Sequence, residues 1–74
     1  MKKKFDIKDQ GEVKQIIIEP SVYQDKHLFE VLIDDEYIVL YQEGEEWKHN
    51  RDYEMSPELL EQIVEKVESI RNQN

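Results

Sequence analysis

From Lys4 to Lys8 polar and apolar residues alternate, the period of a strand with one covered face. Gln10-Gly11 is a turn signal. After it, Val13 and the run Ile16-Ile17-Ile18 predict a second strand over Glu12 to Glu19. Three β-branched residues in succession suit a pleated surface and lose side-chain freedom in a helix. Pro20 is expected to end this strand, because it has no N–H to give to a central ladder. Ser21 to Lys26 then reads as a loop, with Val22 and Tyr23 able to extend an edge.

His27 to Gln42 carry the clearest hairpin signal, two apolar-rich runs on either side of Asp34-Asp35. Asp tolerates turn and left-handed conformations, but Asp-Asp fixes loop length less firmly than Asp-Gly does. Two registers therefore stay open. A two-residue turn gathers Phe29, Val31, Ile33, Ile38 and Leu40 on one face and Leu28, Glu30, Leu32, Tyr37, Val39 and Tyr41 on the other. A three-residue turn instead groups Tyr37, Val39 and Tyr41 with Phe29, Val31 and Ile33, against Leu28, Glu30, Leu32, Ile38, Leu40 and Gln42. Glu43 to Glu46 form a further turn around Gly44, and the residues around Trp47, up to His49, give a weaker fifth-strand signal.

The C-terminal segment switches to helical period. Ser56 suits the N-cap, Pro57 the first helical position, and Glu58 and Glu61 lie near the positive end of the dipole. Met55 before the cap can pack on Leu60 as a hydrophobic staple. Leu59, Leu60, Ile63, Val64, Val67 and Ile70 fall within an arc of about 140°, one buried stripe. Arg71 stands in the last turn, and Asn72 to Asn74 are expected to fray.

Strands first and helix last predict an α+β fold: an antiparallel sheet of four or five strands with one C-terminal helix packed on one face. We expect a single domain over residues 1–74, with the sheet over about 3–49 and the helix over about 57–71. The expected core is Phe5, Ile7, Phe29, Val31, Ile33, Ile38, Leu40, Leu60, Ile63, Val64 and Val67, with Ile17 or its neighbours.

Composition narrows the function classes. The chain of 74 residues has no Cys, which excludes disulfides and thiolate metal sites. Its apolar runs are far too short for a spanning helix, so no membrane association is expected. The charged start Met1 to Lys4 lacks the apolar stretch of a secretory signal, and a cytoplasmic location is the expectation. Net charge is −8, which argues against nucleic-acid binding. That charge is uneven: residues 1–14 hold five Lys against three acids, whereas residues 15–74 hold five basic against fifteen acidic residues.

Candidate chemistry is thin. His27 and His49 have no metal-ligand spacing and read as surface histidines at strand ends. The acids around Asp34-Asp35-Glu36 and Glu43-Gly44-Glu45-Glu46 lack the spacing of a calcium loop and read as solubilising turn residues. Nothing resembles a phosphate loop or a nucleophile motif. Trp47 reads as the lid of a small core rather than a ligand platform. We expect no catalytic residue, no metal and no cofactor.

The order Phe29-x-Val31, an aliphatic return strand, Gly44-x-x-Trp47 and Ser56-Pro57-Glu58-Leu59 opening a helix resembles the small uncharacterised bacterial proteins built from a β-meander with one C-terminal helix. The resemblance covers roughly residues 27–70 and implies that fold and a bacterial cytoplasm, with no catalytic residue to carry over.

The remaining feature is the second sheet face. One helix covers one face, and a solvated antiparallel face normally turns polar. Here Leu28, Leu32, Tyr37, Val39 and Tyr41 share it with Glu30. Cross-strand packing or a loop folded over them would account for such residues. A contiguous apolar patch, on the other hand, marks an association site. The expectation is a non-enzymatic module that forms a homo-oligomer or binds another protein through this face. The alternative is an acidic inhibitor or immunity-type protein that binds a basic partner surface.

Overall fold

Two-residue turns fold the strands into a meander in which each pairs antiparallel with the next. The computed structural model of the chain describes residues 2–49 and 55–72, with strands β1 (Lys3–Asp9), β2 (Glu12–Tyr23), β3 (Lys26–Ile33), β4 (Glu36–Glu43) and β5 (Glu46–His49). Helix α1 (Pro57–Arg71) follows. Gln10 and Gly11, Gln24 and Asp25, and Asp34 and Asp35 all have positive φ, the requirement of a type I′ turn. In the fourth turn Gly44 has φ 65° and Glu45 does not join it on the positive side, the arrangement of type II′. These turns match the right-handed twist of the strands they join.

The Asp34-Asp35 turn settles the register. Leu32 lies opposite Tyr37 and Val31 opposite Ile38, so the loop has two residues. Phe29, Val31, Ile33, Ile38 and Leu40 are all buried on one face, together with Ile7, Ile16 and Ile18 from β1 and β2.

Pro20 does not end β2. The strand runs on to Tyr23, Pro20 lies opposite Phe29, and the expected loop over Ser21 to Lys26 shrinks to Gln24-Asp25. Ladder parity gives the reason. Residues flanking a two-residue turn exchange both hydrogen bonds, and every second pair does so thereafter. Counted from Tyr23 and Lys26, the backbone N of Pro20 points away from β3, toward the β1 side. The β1 ladder stops at Lys3 opposite Ile18, so at Pro20 no described strand needs that donor.

Helix α1 covers the apolar face. The Ser56 hydroxyl accepts from the Leu59 N–H at 3.1 Å, and the Ser56 carbonyl accepts from Leu60 N–H at 3.0 Å. At the other end the Asn72 N–H donates to the Glu68 carbonyl at 3.0 Å, while Gln73 and Asn74 lie outside the described residues. Leu59, Ile63 and Val67 are the fully buried helix residues, each worth about 1.5–3 kcal/mol of burial. Leu60 and Val64, expected in the core, are half-buried at its margin with Ile70, as is Phe5. The helix is rotated so that Leu59 rather than Leu60 points at the sheet. Ile16 and Ile18 enter the core, and Ile17 faces the other side. Trp47 packs on the core margin, its ring tilted 57° to that of Phe29 at 6.2 Å between centroids.

Candidate interaction face

Alternation along β2, β3 and β4 turns a second set of residues away from α1. In one row across the sheet Lys4, Ile17, Leu32 and Tyr37 lie opposite one another in turn. In the next row Glu19 faces Glu30, and Glu30 faces Val39. Beyond it stand Leu28, opposite Ser21, and Tyr41, opposite Lys48. All six residues proposed from the sequence, Leu28, Glu30, Leu32, Tyr37, Val39 and Tyr41, therefore share the face opposite the helix. Ile17 and Glu19 belong to it too. They are missing from the sequence-derived set, although alternation against Ile16 and Ile18 marks them.

Leu28, Leu32, Val39, Tyr41 and Ile17 are half-buried, whereas Tyr37 is 59% exposed. The half-burial is what neighbouring side chains on a pleated face give one another. The apolar strip is thus continuous from Ile17 through Leu32 to Tyr37.

Glu19 and Glu30 break the strip. They are directly opposite across the β2–β3 ladder and both half-buried. Like charges placed this way repel. No described cation lies within ion-pair distance of either carboxylate. The ion pairs sit elsewhere. Lys48 at the β5 margin reaches Glu43 at 3.5 Å. Lys14 bridges Asp9 at 3.0 Å and Asp34 at 2.9 Å. Its ammonium is held above the ordinary 10.5, first by the hydrogen bond to Asp34 and then by that to Asp9.

The other candidates stay apart from this face. His27 is exposed on β3, and His49 closes β5 half-buried. Trp47 belongs to the helix side, with the Arg71 guanidinium 5.8 Å above its ring. Among the described residues no three of His, Asp and Glu converge in the manner of a metal site. No helix among the described residues is long and apolar enough to cross a membrane. Grooves flank α1, one lined by Asp6, Lys8, Val13 and Gln62 and another by Trp47, Pro57, Leu60 and Val64. Comparison of the chain with protein-family models, with curated proteins and with solved structures finds no match in any of the three.

Proposed function

We propose that this chain is a non-enzymatic protein-association module whose working surface is the sheet face turned away from α1. One observation carries the reading: the observed register collects Ile17, Leu28, Leu32, Tyr37, Val39 and Tyr41 on that face, while the buried helix residues all serve the other. Aromatic residues with a polar tip beside aliphatic ones are the composition of an interface centre.

A photo-crosslinking amino acid at Tyr41 tests this. On the proposed face it gives a discrete crosslinked protein species, whereas the same label at Glu68, exposed on α1, gives none. Equal yields from the two positions, or none from Tyr41, sink the proposal.

A further inference from the structure

Resting on that reading, we infer that the occupant of the outer sheet face is a heterologous protein segment that inserts an Arg or Lys side chain over the Glu19–Glu30 pair, and that it is not a second copy of this chain. The argument is charge complementarity within an apolar setting. Glu19 and Glu30 stand directly opposite each other, and no described cation forms an ion pair with either. Apolar residues bracket them on both sides: Ile17 and Leu32 in one direction, Leu28 in the other. A long basic side chain suits this arrangement, because its aliphatic stem packs on apolar carbon while its head reaches the carboxylates. A guanidinium between two carboxylates forms charge-assisted hydrogen bonds and removes their mutual repulsion.

A second copy fits poorly. An isologous contact presents the same patch from both sides. Closure about the centre of this face would set Glu19 and Glu30 against their own duplicates. The cations on this side, Lys2 just before β1 and Lys4, Lys8, Lys26 and Lys48 on the strands, lie on β1 and at the strand ends, none pairs with Glu19 or Glu30, and Lys48 is already held by Glu43. The excess of ten negative charges over residues 15–74 further attracts a basic partner to the chain as a whole.

The test uses two synthetic peptides of leucine and serine, identical except that one carries two central arginines and the other two citrullines. Each is titrated into the isotopically labelled chain and followed by amide chemical shifts. The arginine peptide is expected to move the signals of Ile17, Glu19, Glu30, Leu32 and Val39 and to bind at least about tenfold more tightly than its twin. Its affinity drops by a similar factor in the Glu19→Gln/Glu30→Gln variant and is unchanged in Glu58→Gln/Glu65→Gln, whose side chains lie on exposed α1 positions. The first variant relieves a like-charge pair, so its unfolding midpoint is not expected to fall. Equal binding of both peptides at the sheet overturns the basic partner and leaves the association face standing. Binding of neither, with a dimer in sedimentation, puts a second copy there. Binding of neither by a monomer overturns both readings. Shifts spread over α1 and the turns reveal mere charge attraction and also overturn the inference.

Discussion

The side-chain amide of Gln62 pairs with both main-chain groups of Lys8. The Lys8 N–H donates to Gln62 Oε1 at 2.9 Å, and Gln62 Nε2 donates back to the Lys8 carbonyl. Lys8 lies opposite Val13, one step from the turn-flanking pair Asp9 and Glu12, so its N–H and C=O point away from β2. The helix thus supplies one rung of a missing neighbour strand. β1 is an edge strand, and unpaired edge groups invite pairing with another chain. Replacing Gln62→Leu is expected to cost about 1 kcal/mol, because both bonds are water-accessible and solvent replaces part of their worth. Amide exchange at Lys8 should accelerate in the variant more than at Phe5. Unchanged exchange at Lys8 would mean that the pairing does not persist in solution.

Lys14 ties three pieces of chain together: its own strand β2, Asp9 at the end of β1, and Asp34 in the β3–β4 turn. Its folded-state pKa is raised above 10.5, so the stabilisation from its charge is fully present below that value. It disappears as pH climbs through the higher folded-state value, since the unfolded chain releases the proton first. Urea midpoints of the parent and of Lys14→Met should therefore differ by a constant amount from neutral pH to about pH 10. The gap should narrow above that. A gap that holds steady to pH 12 would show that the charge does not carry the effect.

Two turns place a non-glycine pair in the left-handed region. Asp34 has φ 51° and Asp35 φ 63°, and Gln24 and Asp25 repeat the pattern. The second position of a type I′ turn favours Gly, which removes a conformational cost of about 1–2 kcal/mol but adds freedom to the unfolded chain. The net expectation for Asp35→Gly or Asp25→Gly is a gain of about 0.5–1 kcal/mol. Asp34 is the wrong residue to change, because it holds Lys14. A lowered denaturant midpoint in Asp35→Gly would show that the aspartate side chain contributes more than its backbone strain costs.

These turns also explain why the architecture could be read from the chain. Gln10-Gly11, Asp34-Asp35 and Gly44 are local signals, and between them the apolar period assigns each residue a face. The candidate interaction face was legible for the same reason once a two-residue turn was granted. Pro20 misled because its tolerance depends on where β1 begins, which no local pattern states. Leu59 and Leu60 are adjacent on the helical stripe, and only the seating of α1 on the sheet decides which is sealed in. The Gln62–Lys8 pairing joins residues 54 apart through a backbone group, so no spacing or residue type announces it. The Glu19–Glu30 juxtaposition was equally hidden, since it depends on β2 continuing past Pro20 and pairing with β3 in this register.

Trp47 reports on how α1 closes over the last two strands. Its ring packs 6.2 Å from that of Phe29, and Arg71 covers it from the helix end while donating from Nη1 to Gln42 Oε1 at 3.1 Å. The ring is a half-buried margin of the core rather than a free platform, so its loss should be felt as lost packing. Trp47→Ala is expected to cost about 2–3 kcal/mol, somewhat below the range for a fully buried aromatic. In a domain of this size that lowers Tm by roughly 10–20 °C. Arg71→Ala removes a partly exposed cation–π contact and should cost under about 1 kcal/mol. The Trp47 emission should nevertheless shift to the red as water reaches the ring. Thermal melts followed by circular dichroism, with tryptophan fluorescence on the Arg71→Ala variant, separate the two contributions. A Trp47→Ala variant that melts with the parent would remove Trp47 from the core margin.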